Sequence, residues 1–182
     1  MWVENGSLRC SVIGGGTAAG ICGSGLIDAV ACLLELGFLN ARGRLLTSEE
    51  LDGERIVRLT DSVYVTQNDI REVQMAKGAI AAGISLMARE LGIEISQIGS
   101  VLLAGAFGSF LRPESACRIG LLPAELLGKI TAVGNAAGSG AKMMACSKEE
   151  FARTDELIAQ IEFIELASLP GFQREFAKNM RF

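Results

Sequence analysis

Apolar residues along this chain recur with two periods, and the switches between them mark out elements. Residues 8–13 predict a strand that runs into the glycines Gly14, Gly15 and Gly16. Residues 26–39 are apolar nearly all round, broken only by Asp28 and Glu35, which predicts a helix buried on most sides. Residues 40–53 are polar and hold two glycines, as in a loop or small excursion. Residues 56–60 and 63–66 predict two short strands joined by Asp61 and Ser62. Thr66, with Asp69 three residues on, reads as a capping box opening a long helix that stops at Gly92. Its apolar stripe is Ile70, Val73, Ile80, Ile84, Met87 and Leu91, with Lys77 the sole polar break.

The second half continues the alternation. The run at residues 100–106 predicts a strand buried on both faces. Pro113 opens a short helix to Arg118, residues 130–133 predict a strand, and Asn135 caps a glycine- and alanine-rich helix over 136–145. Ser147 and Glu150 predict a second capping box for a helix through Gln160. Residues 161–166 predict a late strand, and Pro170 the first position of a last helix lined by Phe172, Phe176 and Met180. Strands alternating with helices predict an α/β layered fold with a parallel or mixed sheet.

Composition narrows the partners. The 182 residues fit one domain, 49% hydrophobic and 21% charged. A net charge of −4 supplies no basic field for nucleic acid or an acidic membrane. No stretch approaches the ~20 apolar residues of a membrane span, and Glu4, Asn5 and Arg9 interrupt any leader-like run. A cytoplasmic location is the expectation. Histidine is absent, which removes the commonest general base and metal ligand. Cys10, Cys22, Cys32, Cys117 and Cys146 form no CxxC or iron–sulfur spacing and read as free thiols.

Three glycine-rich corners stand where a strand or loop gives way to a helix, and ligands of open α/β sheets bind at such corners. In the first, residues 20–30, the backbone N–H groups at Gly23, Ser24 and Gly25 could meet an anion, or the glycines could serve tight helix–sheet packing. Asp28 could hold a magnesium-bound water or complement the helix dipole. In the second, residues 101–111, Gly105, Ala106, Phe107 and Gly108 offer flat backbone to an adenine ring, with Phe107 equally readable as a core plug. The third, residues 132–141, has a helix start bare enough for close helix–helix packing. Gln67, Arg71 and Gln74 share one face of the long helix, with Lys77 a turn on, either toward ribose or phosphate or as a solvated face.

Taken together, ICGSGLIDAVACLLELG (21–37), LTDSVYVTQNDIREVQMAKGAIAAGI (59–84), VLLAGAFGSFL (101–111), IGLLP (119–123), AVGNAAGSGA (132–141) and the closing F-x-x-x-F-x-x-x-M-x-F resemble the carboxy-terminal region of the reductive activators of corrinoid proteins. These belong to the acetate and sugar kinase, Hsc70 and actin superfamily. The resemblance covers nearly the whole chain and implies a ribonuclease-H-like lobe, a mixed sheet flanked by helices, over residues 1–182. In such proteins two lobes close on ATP and Mg2+, and hydrolysis drives an inactive Co(II) corrinoid to Co(I). The electron comes from an amino-terminal [2Fe-2S] domain.

VLLAGAFG looks like the adenosine motif, with Ala106 where the superfamily has a second glycine, and GNAAGSGA like the second connecting helix. The implied nucleotide-contacting residues are Gly23, Ser24, Gly25, Gln67, Arg71, Gln74, Gly105, Ala106, Phe107, Gly108 and Asn135. No catalytic residue and no metal ligand is assigned. The family's Asp-Gly-Thr phosphate loops and ferredoxin cysteines do not occur in these residues, so the chain reads as a fragment of a longer family protein with little ATPase activity by itself. The implied partner is a corrinoid iron–sulfur protein or the corrinoid protein of a methyltransferase system, with a homodimer left open. A small-molecule kinase of the same superfamily and a non-enzymatic module that docks on a corrinoid protein are the competing readings.

Overall fold

The computed structural model describes residues 1–182. The chain opens on a hairpin, β1 (Trp2–Glu4) and β2 (Ser7–Arg9), turned by Asn5 and Gly6 at φ 50° and 72°. Both central residues have positive φ, the turn that suits the twist of paired strands, and Asn-Gly is its favoured dipeptide. The strand expected over 8–13 therefore ends at Arg9. Beyond it Gly14, Gly15 and Gly16 all take positive φ and the backbone is irregular.

Helix α1 (Gly23–Glu35) is the axis of the core, buried continuously from Ile27 to Leu33. It packs with Leu39, Leu45, Val65, Ile70, Val73 and the Ala116–Leu122 region. It starts three residues before the apolar run does, because Cys22 caps it: the thiol accepts from Gly25 N. The polar excursion then forms an isolated bridge, Leu39 to Leu45, and a three-stranded antiparallel sheet, β3 (Glu50–Leu51), β4 (Glu54–Arg58) and β5 (Tyr64–Thr66). The two strands expected around Asp61 and Ser62 exist, with their pairing centred on Val57 and Val65.

Helix α2 (Gln67–Glu90) begins at the expected capping box and leaves through Leu91 and a left-handed Gly92. Its buried face differs from the expected stripe. Ile70, Val73 and Lys77 are inside, but Ile80, Met87 and Leu91 face solvent, while Gly78, Ala81, Ala82 and Gly83 are buried. Residues 166–182, a 3-10 turn (Leu166–Ser168) and α7 (Phe172–Asn179), explain this. They lie directly on α2: a Cβ at Gly78 would sit 3.4 Å from the Asn179 carbonyl oxygen, and one at Gly83 3.2 Å from Leu166. Close backbone approach selects small residues where a periodicity argument looks for large ones.

Strand β6 (Val101–Ala104) and β7 (Ile130–Gly134) pair in parallel. Between them run α3 (Gly105–Phe110), α4 (Pro113–Arg118) and a 3-10 segment (Ala124–Lys129). The pair is not buried on both faces as expected, since Leu102 is 63% exposed. After β7 come α5 (Ala136–Cys146) and α6 (Lys148–Ile158), neither with a buried residue. Ser147 accepts from Glu150 N as expected, but its own N–H donates to the Met143 carbonyl at 3.1 Å rather than to Glu150, so the reciprocal half of the box is missing. The late strand does not form: residues 161–165 pair with no strand, and Ile161 and Phe163 are exposed. The last helix begins at Phe172 behind Gly171 at φ 92°, two residues later than Pro170 suggested. The Pro170 carbonyl accepts from Arg89.

Candidate functional site

Parallel strands β6 and β7 end side by side, Ala104 opposite Gly134. Each then turns sharply into a helix through a positive-φ glycine, Gly105 at 86° and Gly134 at 65°. Only glycine tolerates that conformation without strain. A Cβ on either would meet nothing within 4 Å, so both face open space at the carboxyl edge of the pair. Asn135 closes the second corner by accepting from Gly138 N at 2.9 Å. Gly108 has the opposite reason for lacking a side chain. A Cβ there would lie 3.0 Å from the Leu103 carbonyl carbon, so α3 folds tightly onto its own strand.

The start of α1 meets these corners. The position of a Gly23 Cβ is 3.0 Å from the Phe107 ring, which is 49% exposed rather than a core plug. Ser24 and Gly25 line an adjoining cavity of about 400 Å³ with Cys22, Asp28, Thr60 and Phe110. The Cys22 thiol is pulled below its ordinary range, first by the hydrogen bond with Ser24 and then by the Gly25 N–H. Nothing in the residue pattern marked Cys22 beyond its place before a helix. Cys32 and Cys117 go the other way, pushed up by burial. Asp28 lies beyond the first turn of α1, where it does not complement the helix dipole, and it lines the same cavity as Ser24 and Gly25. Buried in the second turn of α1, it accepts from Ser115 Oγ at 2.6 Å and from the Met1 ammonium at 3.1 Å.

Gly23, Ser24, Gly25, Gly105, Ala106, Phe107, Gly108 and Asn135 thus belong to one connected edge. Gln67, Arg71 and Gln74 line a different cavity, about 720 Å³, under the β3–β4 turn. Two of them are already engaged. Gln67 donates to the Gly43 carbonyl at 2.6 Å and accepts from Leu45 N at 2.9 Å, while Gln74 donates to the Met180 carbonyl at 2.7 Å. Arg42, Arg44 and Arg55 join Arg71 there, a gathering that sequence spacing did not reveal because three separate elements supply it.

No helix is long and apolar enough to cross a membrane. The chain resembles a solved reductive activator for corrinoid, iron–sulfur protein with a TM-score of 0.84 and 30% identity, over 94% of this chain and 30% of that one. It is 34% identical to the corrinoid activation enzyme RamQ of Eubacterium limosum, over 98% of this chain and 34% of RamQ. It is 28% identical to the [Co(II) methylated amine-specific corrinoid protein] reductase of Methanosarcina barkeri, over 78% of this chain and 24% of that protein. The chain therefore spans about a quarter to a third of the length of these relatives. Residues 2–182 match the family described as the C-terminal domain of RACo, the ASKHA domain, and the chain belongs to that family.

Proposed function

We propose that the chain is the nucleotide-binding lobe of a protein that uses ATP to return Co(II) corrinoid proteins to Co(I). The carrying observation is the edge where Ala104 and Gly134 end together and Gly105 and Gly134 leave bare backbone facing outward. A planar base needs such a surface, and the exposed Phe107 ring beside it can add an aromatic contact. Backbone N–H groups at Gly23 and Ser24, the start of a 13-residue helix, suit phosphate. Gly105, Ala106, Phe107, Gly108 and Asn135 would hold adenosine, and Gly23, Ser24 and Gly25 the phosphates. Arg71 would contribute only to a ligand reaching its separate cavity. Magnesium would be held chiefly by phosphate oxygens and water.

The relatives' names supply the corrinoid part of the reading. An iron–sulfur cluster does not fit these residues. It needs about four converging thiolates, whereas no group of three or more ligating side chains gathers here and the cysteines are scattered. The electron must enter from outside this lobe, and ATP turnover from these residues alone should be low. Helix α5, with Ala136, Ala137, Gly138, Gly140 and Ala141 and no buried residue, suits a close contact with a second lobe.

Titration with a fluorescent ATP analogue tests the nucleotide part. Gly105→Val forces a branched residue into φ 86° at the base-facing corner and should weaken binding about tenfold, ~1.4 kcal/mol, with a folded circular dichroism spectrum and a melting midpoint lowered only by the strained φ. Undiminished affinity rejects the assignment. For the corrinoid part, the protein, a Co(II) corrinoid protein and a low-potential reductant should show ATP-dependent growth of the Co(I) absorbance. Nucleotide binding without that growth would favour a small-molecule kinase.

A further inference from the structure

The cavity under the β3–β4 turn is lined by no hydrophobic residue. Four arginines reach it: Arg42 and Arg44 from the loop after α1, Arg55 from β4, and Arg71 from the first turns of α2. None of the four takes part in an ion pair, although Arg55 stands directly opposite Glu50 in the strand register. Elsewhere arginines are used: Arg58 pairs with Glu49, Arg118 with Glu35, and Arg112 donates to the Met1 carbonyl. Two carboxylates share the cavity, Glu50 and Glu54, and Glu54 is committed to Asn68 N at 2.6 Å. Positive charge is thus concentrated at one concave place on a chain whose net charge is −4.

The arrangement is built rather than incidental. Asn40 Oδ1 accepts from both Arg42 N at 2.9 Å and Arg44 N at 3.0 Å, which fixes the loop that presents the two arginines. Gly43 between them is buried at φ 80°, and any Cβ there would overlap the Gln74 amide. Gln67 holds the same loop from below through Gly43 and Leu45. Guanidinium groups gathered without partners favour multiply charged oxyanions, which they bind through paired N–H donors. The missing apolar lining argues against a protein partner, whose interface cores are rich in aromatic and aliphatic contacts. It equally gives a purine nothing to lie on.

We propose that this cavity is a second binding site, distinct from the glycine edge, for a compact oligophosphate anion, either free or as the phosphate tail of a larger metabolite. The site does not depend on the nucleotide reading. Calorimetric titration of the chain with inorganic tripolyphosphate should give saturable binding that weakens about tenfold or more in Arg42→Gln and in Arg71→Gln. Melting should be unchanged, since neither side chain holds a structural contact. Arg174→Gln, outside the cavity, should bind as the native chain does. ATP distinguishes the sources. In a Gly105→Val background, where the glycine edge holds ATP only weakly, loss of ATP together with tripolyphosphate in the arginine variants makes the ligand a nucleotide tail; loss of tripolyphosphate alone makes it a free oligophosphate. Absence of saturable binding, equal loss in Arg174→Gln, or arginine-dependent capture of polyglutamate without tripolyphosphate binding overturns the proposal. Gly105→Val should leave tripolyphosphate affinity intact, so the two sites fail separately.

Discussion

Lys77 stands where the apolar stripe of α2 calls for hydrocarbon, and the structure keeps it there, 2% exposed. Its ammonium donates to the Arg181 carbonyl and lies 5.3 Å from the centroid of the Phe182 ring. Burial pulls its pKa from 10.5 down to about 8. The sign follows from proton counts. Between those values the unfolded chain binds more protons than the folded one, so stability rises with pH across the window. At neutral pH the buried charge is a cost. Urea unfolding of the native chain should show about 2 to 3 kcal/mol of stabilisation between about pH 7 and pH 10 relative to Lys77→Met. A constant difference between the two proteins would mean that the ammonium is not desolvated. The residue pattern identified Lys77 as anomalous, but its partners lie more than a hundred positions away, where no local pattern reaches.

At the scale of elements, what was legible depended on whether a local rule decided the outcome. The start of α2 is such a case. Thr66 Oγ1 accepts from Asp69 N at 3.0 Å, and Asp69 Oδ2 accepts from Thr66 N at 2.8 Å. Thr66→Ala should cost about 1 kcal/mol in chemical denaturation, and an unchanged midpoint would show the cap to be idle. Asn135 and Gly92 were legible for the same reason. The buried face of α2 was not, because Gly78, Ala81 and Gly83 are chosen by the nearness of residues 166–182 rather than by hydrophobicity. The late strand failed for a related reason: β-like residues at 161–165 become a strand only by pairing with one, and they pair with none of the three sheets. The opening hairpin carries a local signal in Asn5-Gly6, but Asn5 is read from the sequence only as a break in a leader-like run, with the first expected strand starting at residue 8. Of the candidate site, the glycine edge was legible as three corners. The departure of Gln67, Arg71 and Gln74 to a separate cavity required the fold.

Across the whole molecule the glycines sort into those pressed by this chain and those that touch nothing. Gly108 is of the first kind, its missing Cβ against the Leu103 backbone. Gly140 is of the second, within a helix that has no buried residue and with no atom within 4 Å of a Cβ. Evenly distributed internal packing would press on both. The contrast predicts opposite signs. Gly108→Ala should destabilise the chain by about 1–3 kcal/mol, because strand and helix must part to admit a methyl group. Gly140→Ala should stabilise it by up to about 1 kcal/mol, through helix propensity alone. Denaturant midpoints of the two variants decide the matter. A gain at Gly140 with a loss at Gly108 means that the bareness of α5 does nothing for this lobe's own stability, leaving close approach by another body as its use. A loss at both positions would place α5 in a contact inside this chain, and the second-lobe contact proposed for that helix would fall with it.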